Sequence, residues 1–107
     1  MSKLRNIPCQ IGAEKYRSGR EARRHQELLL LERAGQISNL RREVPYVLAP
    51  SVKIHGKTKP ALRYFADFVY TENDRQVVED AKGMRTPVYR IKLHLMATVY
   101  GIEIRET

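Results

Sequence analysis

The apolar positions of this chain change period several times, and each change marks an element. Leu62-Arg63-Tyr64-Phe65-Ala66-Asp67-Phe68-Val69-Tyr70 and Gln76-Val77-Val78-Glu79-Asp80-Ala81-Lys82, the latter closed by Gly83, are short runs of apolar, β-branched and aromatic residues. The polar Thr71-Glu72-Asn73-Asp74-Arg75 lies between them, so the runs are expected to pair as a β-hairpin. Upstream, Ser18-Gly19-Arg20-Glu21 reads as a helix start, with Ser at the N-cap and Glu three residues on, the pattern of a capping box. Glu21, Ala22, His25, Leu28, Leu29 and Glu32 then recur at helical spacing as far as Gly35. This puts the Glu21 carboxylate on, or at the border of, the face that packs on the sheet.

Ile37 to Leu48 is expected to be extended, and Pro45 argues for an edge position or a bulge. A second extended stretch begins at Ser51 and takes in Val52 and Ile54, and 55–60 reads as a basic loop. Thr86, with Pro87 at the first helical position, caps a second helix that Gly101 ends. Val88, Ile91, Leu95 and Val99 mark one apolar face of it, and Tyr89, Leu93, Met96 and Tyr100 widen that face, so the helix is expected to be well buried. Ile102-Glu103-Ile104-Arg105 closes as a strand. Residues 1–17 are mixed and basic with no clear period and read as an N-terminal arm or lead-in. Residues 18–107 read as one domain of order αβββαβ, an α/β architecture with a mixed sheet flanked by helices.

Composition changes this picture in one respect. Hydrophobic and charged contents are ordinary for a folded chain of 107 residues, but 20 Lys+Arg against 12 Asp+Glu leave a net charge of +8. That excess favours a polyanionic partner, usually nucleic acid. Cys9 is the only cysteine, which excludes an intrachain disulfide and a Cys-rich zinc site. No apolar run reaches the ~18 residues of a membrane span, and no signal peptide is evident, so a cytoplasmic location is expected.

Against this basic background the carboxylates of the hairpin stand out. Side chains alternate along a strand, so Asp80 and Lys82 share one face while Glu79 and Ala81 take the other. Two carboxylates on neighbouring strands, with an ammonium beside one of them, can hold a divalent metal and polarise a water. Blander readings remain open: Glu21 as a cap, Asp80 and Lys82 as a surface ion pair, Glu79 as the functional acid. His25 reads as a helix-face or core residue, Tyr89 as core and Lys92 as a solvated position.

An early helical glutamate, an Asp on one strand and D-x-K on the next, followed by a helix and a strand, resembles the PD-(D/E)XK nuclease superfamily, with its restriction-endonuclease-like core. Within it the chain is similar to a family of small phage- and prophage-encoded proteins. The matching stretches are Ser18–Ala22, Leu31–Ile37, Tyr64–Phe68, Val78–Gly83 and Thr86–Lys92. The chain has Ala66 where the superfamily motif has Pro. The resemblance implies Asp67, Asp80, Lys82 and Glu21 as catalytic residues. It implies a Mg²⁺ or Mn²⁺ ion held by Asp67, Asp80, the Ala81 carbonyl and Glu21, and Lys82 orienting the attacking water or stabilising the transition state. Arg20, Arg24, Lys57, Lys59, Arg85, Tyr89 and Lys92 are the expected DNA contacts.

The function so implied is a metal-dependent endodeoxyribonuclease acting on branched or other recombination and replication intermediates of phage DNA, in the manner of a Holliday-junction resolvase. By analogy a homodimer would present two sites to two strands, and the compartment would be the bacterial host cytoplasm. The rivals are a non-catalytic DNA-binding protein that retains the fold and a phage protein-interaction factor.

Overall fold

The hairpin around Asn73 is the spine of the molecule. In the computed structural model, which describes residues 8–82 and 85–107, β6 (Leu62–Glu72) and β7 (Arg75–Asp80) pair antiparallel, with Glu72 opposite Arg75. Asn73 and Asp74 make the turn, both at positive φ (52° and 62°), the conformation a two-residue hairpin loop requires. On the other side of β6 lies β3 (Ser38–Ala49), antiparallel to it. The short β8 (Arg105–Glu106) runs parallel to β7. The sheet order β3-β6-β7-β8 makes β3 an edge strand, which is where Pro45 can sit without breaking the sheet.

Helix α1 (Gly19–Arg33) precedes β3, and helix α2 (Pro87–Tyr100) links β7 to β8. Two small hairpins complete the described residues. β1 (Cys9–Ile11) pairs with β2 (Glu14–Tyr16), and β4 (Val52–Ile54) pairs with β5 (Lys57–Lys59). Both depart from the sequence reading. The lead-in continues into ordered hairpin structure over 9–16 and ends on buried Tyr16, whose hydroxyl lies 2.6 Å from His25 Nδ1. The basic loop at 55–60 is half strand, turned at His55 and Gly56, both at positive φ. Gly83, expected to close the second strand of the spine, lies outside the described residues.

The β3–β6 pair is where the fold departs from simple alternation. Its register runs without slip from Tyr46 opposite Tyr64 to Arg41 opposite Val69. Tyr64 and Ala66 nevertheless pack with Tyr89 and Met96 of α2, while Phe68 and Tyr70 pack with Leu28 of α1. Strict alternation would have kept all four on one face. β3 does the same: Val44 and Tyr46 feed the α2 core and Leu40 the α1 core. Both strands change sides at Asp67 and at Glu43, which lies across from it between the Arg42–Phe68 and Val44–Ala66 pairs. Glu43 has φ +53°, a left-handed conformation that costs a non-glycine residue about 1–2 kcal/mol. Each helix therefore covers its own core, and the crossover point between the cores is lined by carboxylates.

Helix α2 corrects the expected burial. Thr86 caps it through its Oγ1, which accepts the Tyr89 N–H at 3.1 Å, and Gly101 ends it at φ 67°. The face that packs is Tyr89, Leu93 and Met96, with Leu95 of the expected stripe beside them. The other three positions of that stripe, Val88, Ile91 and Val99, are 51–61% exposed. Apolar residues ring this helix nearly all round, so the pattern alone does not choose the packing face. Among the described residues no helix is long and apolar enough to cross a membrane.

Candidate metal centre

Glu21 reaches the sheet because of how α1 starts. Ser18 Oγ accepts the Glu21 N–H at 3.2 Å, one half of the expected capping box. The other half is displaced: Glu21 Oε1 accepts the N–H of Arg17 at 2.8 Å, one residue earlier than the motif specifies. The side chain is thereby drawn inward, 2% exposed, and its Oε2 is buried without a hydrogen-bond partner among the described residues. The guanidinium of Arg42 is the cation facing it, at 3.7 Å.

Asp67, on the central strand, is held in the same manner. Its Oδ2 accepts the Ala81 N–H at 2.9 Å, across the hairpin, and its Oδ1 accepts Arg17 Nη2 at 3.0 Å. Arg17 Nη2 also lies 3.1 Å from Glu43 Oε2. Glu21, Glu43 and Asp67 each bring a carboxylate oxygen to within 4.8 Å of the other two. Carboxylates this close repel unless a cation or a proton sits among them. Burial pushes the Asp67 carboxyl up to about 9, with the neighbouring Asp80 and Glu21 carboxyls adding to the shift and the Ala81 amide opposing it. Glu43 is also raised, first by burial and then by Glu21, against the pull of Arg17.

Asp80 ends β7 beside this cluster. Its Oδ2 accepts the Tyr64 hydroxyl at 2.6 Å, and Lys82 Nζ is 3.8 Å from its Oδ1. Burial, and then the Asp80 charge, raise the Tyr64 hydroxyl and keep it a neutral donor. Lys82 also lies over the Tyr89 ring, 4.5 Å from its centroid, a cation–π contact that fixes the ammonium. Asp67, Asp80 and Lys82 line one cleft of about 210 Å³, together with Arg17, Tyr64 and Lys92.

The structure thus brings together Asp67, Asp80, Lys82, Tyr89 and Lys92 around the cleft, with Glu21 joined to Asp67 through the cluster. Ala81 joins the site through its amide N–H to Asp67. Glu79 points away from Lys82, as alternation requires. It is fully buried against Arg24, whose Nε is 2.6 Å from its Oε2, and it accepts the hydroxyls of Tyr70 and Thr107. Arg24, expected at DNA, is therefore engaged in a partly buried ion pair. Arg85 pairs with Glu106. Arg20 is exposed on α1 and lines a groove beside Cys9 and Ile11, apart from the cleft residues. Lys57 and Lys59 are exposed on the β4–β5 hairpin.

Sequence reasoning missed Glu43 altogether and placed Arg17 in the basic N-terminal lead-in. The one signal for Glu43 was a carboxylate inside an extended run, where it is disfavoured. Nothing in the sequence linked it to Asp67.

The residues present fit a divalent cation. The donors are hard oxygens, which suit Mg²⁺ or Mn²⁺. Glu21 and Asp67 each have one oxygen pinned by a backbone amide; of the other two oxygens, Glu21 Oε2 has no hydrogen-bond partner among the described residues and Asp67 Oδ1 is held by the Arg17 guanidinium.

A mixed sheet with two helices and an acidic cluster at its crossover point defines a mixed α/β protein with a candidate cation centre. The chain belongs to the family described as "Protein of unknown function (DUF1064)", whose model matches residues 1–106. No curated protein and no solved structure matches it.

Proposed function

We propose that this protein is a metal-dependent endodeoxyribonuclease with a PD-(D/E)XK-type site and a restriction-endonuclease-like core. The observation that carries the reading is the carboxylate cluster of buried Glu21 and Asp67 with exposed Glu43, beside Asp80 and Lys82. Without its two small hairpins the element order is αβββαβ, which suits such a core.

A Mg²⁺ or Mn²⁺ ion bound there supplies a polarised water and relief of the charge that develops on the phosphate. Glu21, Glu43 and Asp67 hold the ion. Asp80, fixed by Tyr64, sets the Lys82 ammonium at the cleft. Lys82 orients the water and stabilises the transition-state charge from its place 3.8 Å from Asp80 Oδ1. Lys92 offers a phosphate contact at the rim, and the chain's net charge of +8 supplies sequence-independent attraction to DNA.

Branched DNA from phage recombination or replication is the favoured substrate, because phosphate contacts from Lys and Arg carry no sequence information and leave strand geometry as the feature to select. Junction resolution would require two copies, each cutting one strand. One observation favours the rival DNA-binding reading: Arg17 already neutralises part of the carboxylate charge, so the fold can stand without a metal.

The test is incubation with labelled four-way-junction, nicked, single-stranded and duplex DNA in Mg²⁺, Mn²⁺ or EDTA, beside Asp80→Asn and Lys82→Ala. Metal-dependent cutting lost in both variants is the expected result. Salt-sensitive binding without cutting on any substrate would leave the non-catalytic reading.

A further inference from the structure

We infer that Arg17 is a resident counter-ion that a divalent cation must displace, and that the displaced guanidinium then serves the substrate phosphate. This rests on the metal-centre reading above.

The geometry sets up a direct competition. Asp67 Oδ2 is committed to the Ala81 amide, so a metal must use Oδ1, the oxygen that Arg17 Nη2 holds at 3.0 Å. The same nitrogen lies 3.1 and 3.3 Å from the two oxygens of Glu43. A metal ion bonded to these oxygens at about 2.1 Å would stand a few ångströms from the guanidinium, and the repulsion between the two cations sets them in competition for the same carboxylates. The departing side chain has somewhere to go. It is 65% exposed, against 8% for Asp67, and it lines the cleft with Lys82 and Lys92. Arg17 holds Glu21 only through its backbone N–H, so the side chain can leave while that anchor stays. The residue thus does two things in turn. It quiets the carboxylate repulsion before the metal arrives, and it adds a cation at the phosphate afterwards.

The two roles give opposite signs in one variant. Arg17→Ala keeps the backbone anchor and removes the competitor. It should bind Mn²⁺ about three- to tenfold more tightly than the wild type by isothermal titration calorimetry, as expected for losing a charge-assisted contact at a partly exposed site. With Ca²⁺ in place of the reactive metal, the same variant should bind a DNA duplex more weakly, with the salt slope reduced by about one.

Arg17→Gln, which keeps polar bulk without charge, should repeat both effects and covers the case in which the alanine variant fails to fold. Asp67→Asn should lose Mn²⁺ binding in either background. Mn²⁺ binding unchanged or weakened in both folded Arg17 variants would overturn the inference, and tighter Mn²⁺ with unchanged DNA affinity would overturn its second half. Tighter Mn²⁺ in a protein that cuts no DNA would sustain the counter-ion and sink the nuclease reading instead. A wild type that binds no Mn²⁺ would overturn both.

Discussion

Glu43 and Asp67 face each other across the β3–β6 pair at the point where both strands change the side of the sheet they feed. One carboxylate sits on an edge strand in a left-handed conformation, the other on a central strand inside an apolar run. Both positions are disfavoured for these side chains. Strain and buried charge concentrated at one point are common at functional sites.

Replacing Glu43 separates strain from chemistry. Glu43→Gly accepts φ +53° without penalty, whereas Glu43→Ala keeps the strain and loses the carboxylate. The glycine variant should be more stable than the alanine variant by about 1 kcal/mol in urea unfolding. Both should bind Mn²⁺ at least several-fold more weakly than the wild type.

Arg24 gives a prediction of opposite character. It was a plausible DNA contact in the sequence, but it supports buried Glu79. Arg24→Met should destabilise the fold by about 3 kcal/mol, as removal of one partner of a buried pair does. The salt slope of DNA binding should not change. Arg24→Met/Glu79→Gln should recover part of the loss, and a double-mutant cycle from urea melts measures it.

The same pair shapes the acid limb of stability. Hydrogen bonds from Arg24, Tyr70 and Thr107 outweigh the effect of burial and hold the Glu79 carboxyl below its usual value. A carboxyl lowered in the folded state binds fewer protons there than in the unfolded chain. Its contribution is therefore present above the ordinary pKa near 4.5 and is lost as pH falls through the lower folded value. Thermal melts from pH 6 downward should show this loss in the wild type, and Glu79→Gln should flatten it.

Helix α2 tests which face packs. Met96 is fully buried and Ile91 is 60% exposed. Met96→Ala should cost about 2–5 kcal/mol, and Ile91→Ser should stay within about 0.5 kcal/mol. Equal losses would restore the broad buried face read from the sequence.

What was legible in the sequence was local. Ser18, Thr86 with Pro87, and Gly101 set helix ends through contacts within a few residues, and Asn73-Asp74 set the hairpin. Parity along β7 correctly separated Asp80 and Lys82 from Glu79. The parts that were not legible depend on long-range pairing. Glu43 reaches Asp67 only through the β3–β6 register, and the change of faces there breaks the alternation that pattern reading assumes. Arg17 joins the cluster because the cap of α1 is displaced by one residue, a shift no motif announces. Residues 9–16 were read as a lead-in because two three-residue strands leave almost no periodic signal.

The central claim is that these carboxylates do metal-dependent chemistry on DNA, and Asp67→Asn tests it most directly. An end-labelled four-way junction is mixed with wild type or Asp67→Asn in Mn²⁺, and each sample is split between a native and a denaturing gel. The account predicts that both proteins shift the junction, because the basic residues that attract DNA are the same in both, and that only the wild type produces cut strands. Shifted but uncut DNA with both proteins, or equal cutting by both, would contradict it.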